Sequence, residues 1–361
     1  MMTPTFERLI RDYGFGPIPR RTFLFSLPAL AAALRGMAQS SKPSIPLRAL
    51  NHVTLTVSDP QRSLEFYQGL FGMPIQSRQG NAVFLQIGSG PQFIGLSGAA
   101  GRPRVTHFCV TAENFNVDRV LQILAEHGVT RVESSASGGA TDIPPLKAWV
   151  RQRREDLGGS PEGTAELHFT DPDGIVAQIQ DASYCGGAGA LGNVCLGTPE
   201  PAPTKGLLAL QDYNHVTLGV SNQQRSRAFY RGLFGMPTQA NQGASESLKI
   251  GSGRQFLAVG TTTANGGTPG MPNIAHVCFT IEGFDLAKVQ GALTEYGLKP
   301  GGRATGPAAP LTHYVSLRMP DRGGAPGGTP ELYFTDPDGI VLQLQDTSYC
   351  GGAGYLGNVC P

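Results

Sequence analysis

The chain is predicted to be an α+β protein made of four βαβββ modules, paired into two domains. Two internal repeats and one recurring order of elements carry that prediction. TAELHFTDPDGIVAQIQDASYCGGAGALGNVC begins at Thr164 and returns from Thr329 as TPELYFTDPDGIVLQLQDTSYCGGAGYLGNVC. NHVTLTVSDPQRSLEFYQGLFGMP begins at Asn51 and returns from Asn214 as NHVTLGVSNQQRSRAFYRGLFGMP. Two long matches at nearly one offset mean that a whole domain was duplicated. Within each copy the order strand, helix, strands occurs twice.

The elements follow in order. Leu50 to Val57 alternates well enough for a strand, and Ser58 or Asp59 can cap a helix running to Phe71, with Pro60 in its first turn. Gly72-Met73-Pro74 ends that helix. Ala82 to Ile87 and Gln92 to Leu96 read as short strands around a Gly-Ser-Gly turn. Val105 to Val110 is the next strand, and Asn116 to His127 is a helix with apolar spacing at Val117, Val120, Leu121 and Leu124. Ser134 to Gly163, rich in Gly, Pro and charge, reads as a loop. Glu166 to Phe169 and Ile175 to Gln180 form a hairpin across the turn Asp171-Pro172-Asp173-Gly174. The third module spans Gln211 to about Val259, and the fourth Asn273 to Asp346 with a helix near Leu286 to Tyr296.

Composition narrows the function classes. At 361 residues the chain can build two hydrophobic cores, and 40% apolar content with a formal charge of +1 argues against disorder and gives no strong bias toward nucleic acid or membrane surfaces. A near-neutral balance favours a small-molecule or protein partner over a polyanion. At the N-terminus, Pro19-Arg20-Arg21-Thr22-Phe23-Leu24 precedes an apolar run from Leu24 to Leu34 and then Gly36-Met37-Ala38. This resembles a twin-arginine export signal, with the twin-arginine export machinery as partner and a periplasmic or secreted destination. The alternative is an ordinary helix before the domains. The run is too short to span a bilayer, and no later segment reads as transmembrane. The expected layout is signal 1–38, linker 39–46, domain one 47–195, linker 196–210 and domain two 211–361.

Asn-His-Val-Thr-Leu-x-Val, Arg-Ser-x-x-Phe-Tyr-x-x-Leu-Phe-Gly-Met-Pro and Phe-x-Asp-Pro-Asp-Gly together resemble the vicinal oxygen chelate superfamily, which includes glyoxalase I, fosfomycin-resistance proteins and extradiol dioxygenases. The resemblance covers about 47–181 and 211–346. It implies glyoxalase- or extradiol dioxygenase-like domains, each a cupped sheet around one divalent metal, Fe(II), Mn(II) or Zn(II), and a dioxygenase or lyase reaction. The ligands it implies are His52, His107 and Gln178 in domain one, and His215, His276 and Gln343 in domain two. Gln178 and Gln343 depart from the glutamate usual there. Glutamine coordinates through its carbonyl oxygen but brings no charge, so a cup that has lost its metal is the competing expectation. Asp181 and Asp346 fall on the opposite strand face and are poor substitutes.

The resemblance also places Tyr333 where extradiol enzymes carry an active-site tyrosine, with His168 its counterpart in domain one; each can assist proton transfer or simply fill the cup. His313 is either another acid–base residue or a surface-loop residue. Cys185 with Cys195 and Cys350 with Cys360, each enclosing a glycine-rich run, are expected to form disulfides if the protein is exported; a metal-binding or reactive thiol pair is the alternative. Cys109 and Cys278 share the strand face of the second histidines. Arg151-Gln152-Arg153-Arg154 reads as a solvated basic patch. The glycine-rich turns lack the context of phosphate loops, and the DPDG turns lack the later acidic ligands of calcium loops. Besides an enzyme, a ligand-scavenging protein and a structural protein of the cell envelope remain open. Composition does not set the oligomeric state.

Overall fold

A computed structural model describes residues 42–98, 101–133, 143–195, 197–243, 245–264, 267–302 and 307–360. Beyond Lys42 these belong to one compact unit, Pro43–Pro361. The expected signal, 1–38, lies outside the described residues.

The first module holds strands β1 (Leu47–Val57), β2 (Ile75–Gln79), β3 (Ala82–Gln86) and β4 (Phe93–Gly98), with helix α1 (Pro60–Phe71) after β1. The second holds β5 (Arg104–Ala112), α2 (Val117–Glu126), the two-residue β6 (Thr130–Arg131), β7 (Lys147–Arg153), β8 (Thr164–Thr170) and β9 (Val176–Asp181). These strands form one sheet in the order β2-β3-β4-β1-β5-β9-β8-β7-β6. The two modules therefore join where β1 pairs antiparallel with β5.

The second half repeats this throughout. Its strands are β10 (Leu210–Val220), β11 (Thr238–Gln242), β12 (Ser245–Lys249), β13 (Phe256–Thr261), β14 (Asn273–Ile281), β15 (Lys299–Pro300), β16 (Thr312–Arg318), β17 (Thr329–Thr335) and β18 (Val341–Asp346). Its helices are α3 (Gln223–Phe234) and α4 (Leu286–Glu295), and its sheet order matches the first, with β10 against β14 at the centre. The duplicated α+β architecture of βαβββ-like modules is thus as expected.

Local chemistry explains the helix bounds. Asp59 accepts the backbone N–H groups of Gln61 and Arg62 at 3.0 and 3.1 Å, Pro60 opens α1, and Gly72 takes the left-handed conformation (φ 65°) that ends it. In α3 the cap is Asn222, which accepts the Arg225 N–H, and Gly235 ends the helix in the same way.

One expectation fails. The stretch read as a loop from Ser134 to Gly163 contains β7 and a 3₁₀ turn, Glu155–Leu157. The strand was hidden because Lys-Ala-Trp-Val-Arg-Gln-Arg is rich in charge. The basic patch is likewise divided: Arg153 is fully buried against Glu166, and only its neighbours face solvent.

Each sheet separates two environments. Leu167, Phe169, Ala177 and Ile179 enter the main apolar core, whereas His168 and Gln178 point to the other face, by strand alternation. The core is continuous across the halves, because each first helix packs on the other half. Phe71 of α1 lies 5.8 Å from Phe334, and Phe169 lies 6.1 Å from Phe234 of α3. The Tyr67 hydroxyl donates to Asp336 and that of Tyr230 to Asp171, so the first aspartate of each DPDG turn serves the opposite half. The second aspartates do the same: Asp338 pairs with Arg62 and Asp173 with Arg225, at 2.6 and 2.7 Å.

Candidate functional site

The inner face of each sheet gathers the candidate ligand histidines, His52 with His107 in the first half and His215 with His276 in the second. A bulge makes this possible. On β1, Leu50 opposes Val110 and His52 opposes Cys109, leaving Asn51 as an extra residue, so Asn51 and His52 meet side by side. The Asn51 amide donates to the Tyr184 carbonyl at 2.8 Å, which turns its oxygen toward His52 Nδ1 at 2.7 Å. Nδ1 is therefore the protonated nitrogen, and Nε2 presents a lone pair to the site. That Nε2 lies 3.2 Å from His107 Nε2 and 3.1 Å from Gln178 Oε1. Stacking on Phe93, centroids 4.4 Å apart, holds the His52 ring.

The second half repeats the device. The bulge falls at Asn214, whose amide donates to the Tyr349 carbonyl and whose oxygen meets His215 Nδ1 at 2.8 Å. His215 stacks on Phe256, and its Nε2 lies 3.0 Å from His276 Nε2. Gln343 is buried, its amide outside strict hydrogen-bond geometry yet near enough to His215 to oppose part of that imidazole's depression; Gln178 leaves only its Nε2 unpartnered. Two imidazole nitrogens and one amide thus converge in each half, on a point suited to a donated proton or a cation.

Burial holds His52 down to about 3, helped by His168, and holds His107 well below the usual imidazole value, helped by His52. Burial with His276 does the same to His215. These three imidazoles are neutral at physiological pH, as metal ligation requires. Among the described residues no three His, Cys, Asp or Glu side chains group as a metal site, because the third member in each half is an amide. The orphaned amide atoms and Asn-oriented imidazoles fit a divalent ion in placement, while the donors contribute no charge.

The acid–base candidates lie beside these triads. His168 stacks on Trp149 (5.3 Å, 9°), meets His107 edge-on, and has Nδ1 3.2 Å from the Glu166 carbonyl, leaving Nε2 as the basic atom. Burial lowers its pKa. Tyr333, directly across from Gln343, stacks on Tyr314 and meets His276 edge-on at 5.3 Å. Its hydroxyl donates to Glu331 at 3.3 Å, and burial with that carboxylate keeps it protonated. His313 is brought to neither cup nor surface loop. It is 3% exposed on the opposite sheet face, with Nε2 3.0 Å from Thr294 of α4.

A second polar layer was not foreseen. Glu166 accepts from Arg153 Nε at 2.7 Å and the Tyr184 hydroxyl at 2.8 Å, with Arg151 at 3.4 Å. Burial raises the Glu166 pKa, but the two arginines outweigh it and leave the carboxyl below its usual value. Glu331 is held by Arg318 and Tyr349 in the same way. The repetition of Arg, Glu and Tyr at corresponding positions was the available signal, as was the repeated Asn-His pair.

The glycine-rich tails close onto this layer. Cys185–Cys195 and Cys350–Cys360 are disulfides, each with Cα atoms 6.3 Å apart, while Cys109 and Cys278 are free and buried. Arg153 donates to the Gly187 carbonyl and Thr164 to that of Gly189, both at 2.7 Å. A cleft of about 360 Å³ beside the first tail, lined by Ser77, Arg78, Cys195 and Glu200 among others, does not include the histidines.

Known proteins share this fold. A family model described as the Glyoxalase/Bleomycin resistance protein/Dioxygenase superfamily matches residues 49–179 and 212–344. A curated relative, glutathione transferase FosA of Serratia marcescens, is 31% identical over 102 residues, covering 26% of this chain and 71% of that protein. Among solved structures, a catechol 2,3-dioxygenase aligns with TM-score 0.53 at 15% identity over 86% of this chain and 89% of its own. The 2,3-dioxygenase LapB of Pseudomonas sp. KL28 aligns with TM-score 0.55 at 14% identity over 88% and 95%. A Mn(II)-bound glyoxalase of Novosphingobium aromaticivorans aligns with TM-score 0.52 at 16% identity over 83% and 82%. No helix among the described residues is long and apolar enough to cross a membrane. With both repeats matched along nearly their whole sheets, the chain belongs to the glyoxalase/bleomycin resistance protein/dioxygenase superfamily.

Proposed function

We propose that the protein is an exported, divalent-metal-dependent enzyme of the dioxygenase or lyase type, acting on a small oxygen-bearing substrate, aromatic ones included. One observation carries this reading. In each half two imidazole Nε2 atoms lie 3.2 or 3.0 Å apart, each first histidine oriented by an adjacent asparagine, with a buried glutamine completing the set. His52, His107 and Gln178 would hold one ion, and His215, His276 and Gln343 the other, as Fe(II), Mn(II) or Zn(II). The ion would polarise a substrate oxygen as a Lewis acid.

The chain's own groups supply the rest. His168, with Nδ1–H directed to the Glu166 carbonyl, keeps Nε2 free to take a proton in the first cup. In the second cup the Tyr333 proton is directed to Glu331, so the phenol oxygen can accept a hydrogen bond from a substrate hydroxyl. Phe93 and Phe256 wall the sites with apolar surface. Export is supported by the twin-arginine-type N-terminus and by two disulfides, which persist in oxidising compartments.

The second reading is a ligand-scavenging protein without turnover. The glutamines favour it, since a carboxylate-free site holds a metal less firmly through a reaction cycle. Elemental analysis of protein purified anaerobically from its native compartment tests the first reading. Near-stoichiometric metal, with the second-half share lost in H215A/H276A, is expected. Absence of metal, with ligand binding unchanged by those substitutions, leaves the scavenger.

A further inference from the structure

The glycine-rich tails reach further inward than a surface staple needs to. Tyr184, the residue before Cys185, is buried with Phe84 and Phe93 in an aromatic cluster separate from the main core. The His52 ring lies against that cluster, 4.4 Å from Phe93 and 5.6 Å from Tyr184. The Tyr184 carbonyl also accepts the Asn51 amide whose oxygen meets His52 Nδ1. Tyr184 thus acts on both the plane of the imidazole and its tautomer. The loop closed by Cys185–Cys195 in turn bears on Tyr184: a Cβ on its Gly192 (φ 66°) would stand 2.5 Å from the Tyr184 ring. The second half repeats each contact. Tyr349 lies 5.9 Å from His215 and its carbonyl accepts Asn214, while a Cβ on Gly357 would stand 2.5 Å from the Tyr349 ring. Between Cys185 and Cys195 stand Gly186, Gly187, Gly189 and Gly192. Such a run loses more conformational freedom on ordering than other sequences do, and ring closure removes much of that loss beforehand.

We infer that Tyr184 and Tyr349 are positioning residues for the first histidine of each cup, and that the disulfide-closed tails hold them in place. The route is the same in both halves: disulfide loop, glycine, tyrosine, then asparagine and imidazole. Each cup is therefore set only while its own disulfide is closed. A dithiol reductant cleaves the S–S bond to two thiols and closes to its own cyclic disulfide, passing two electrons and two protons to the cysteine pair. Gly192 or Gly357 is then free to leave its tyrosine, and the carbonyl that anchors the asparagine goes with it. The inference deepens the function proposed above, but it concerns the orientation of His52 and His215 and stands or falls on them whether or not an ion is held.

Nitrogen-15 NMR of the imidazoles in the full chain tests this, with each half serving as the other's control. In the oxidised protein His52 and His215 should each show a single tautomer, protonated at Nδ1. In C185S/C195S the His52 signals should move toward the average of the two tautomers while those of His215 stay in place. C350S/C360S should do the reverse, and dithiothreitol should move both in the wild type. Gly192→Ala keeps the disulfide but presses a methyl group on Tyr184, and it should shift His52 alone. His52 keeping its single tautomer in folded C185S/C195S overturns the inference; where that variant does not fold, the same result in G192A does. Both imidazoles changing together in C185S/C195S and in C350S/C360S also overturns it, because that is general loosening. Zn²⁺ retention, measured by chelator competition, separates the two readings: a loss on the order of tenfold, confined to the half whose disulfide is opened, is expected. Wild-type protein that holds no Zn²⁺ yet shows the half-specific tautomer change removes the metal reading and supports this inference.

Discussion

A single buried asparagine beside each first histidine decides which ring nitrogen faces the site. Asn51 and Asn214 can do this only because a bulge sets them next to His52 and His215. Replacing Asn51 or Asn214 by leucine should leave the imidazole tautomer unfixed and weaken metal retention about 10- to 100-fold, the usual effect of losing such an orienting partner, measurable by competition with a chelator. The buried ion pairs make a separate residue-scale prediction. R318M strands Glu331 without its guanidinium and should cost about 3–5 kcal/mol by chemical denaturation, because a lone buried charge is worse than none. The double change R318M/E331L should recover much of that loss. The positions of His52, His107, His215 and His276 were legible from the family resemblance together with the repeat. The Arg–Glu layer was not, since Arg153 sits in a run of charge whose partner, Glu166, lies on another strand.

Among the elements, the DPDG turns and the disulfide tails behave differently from their sequence reading. The turns do more than connect strands: Asp171 and Asp336 accept their own turn's N–H groups and receive Tyr230 and Tyr67 from the opposite half. Burial raises both carboxyls to about 6 despite those hydrogen bonds. A folded pKa above the unfolded value contributes stability at low pH that is lost as pH rises through about 6. D171N/D336N should therefore flatten the dependence of melting temperature on pH between about 4 and 6, the window between the usual and the raised carboxyl values. A wild-type curve that does not fall across that window contradicts the assignment. For the tails, C350S/C360S should lower stability by roughly 3 kcal/mol, as expected for closing a short loop. The hairpin around each DPDG turn was readable from turn chemistry. Its cross-half role was not, because the Tyr67–Asp336 and Tyr230–Asp171 pairs join residues distant in sequence.

At the scale of the molecule, duplication produced one core rather than two independent ones. Helix α1 covers part of the second half and α3 part of the first, with Phe71 and Phe334, and Phe169 and Phe234, at the contact. A first half expressed alone exposes Tyr67 and Phe71, so it should bind the apolar dye ANS and melt without cooperativity; mixing in the second half should restore a sharp transition. The same exchange places two equivalent cups in one chain, differing mainly where His168 and Trp149 stand opposite Tyr333 and Tyr314. In the proposed function both cups hold a divalent ion between two imidazoles and a glutamine. An anomalous difference map from crystals grown with Mn²⁺ tests it most directly. Two peaks are predicted, one among His52, His107 and Gln178 and one among His215, His276 and Gln343. Density elsewhere, or facing imidazoles hydrogen-bonded to each other with no peak between them, would contradict it.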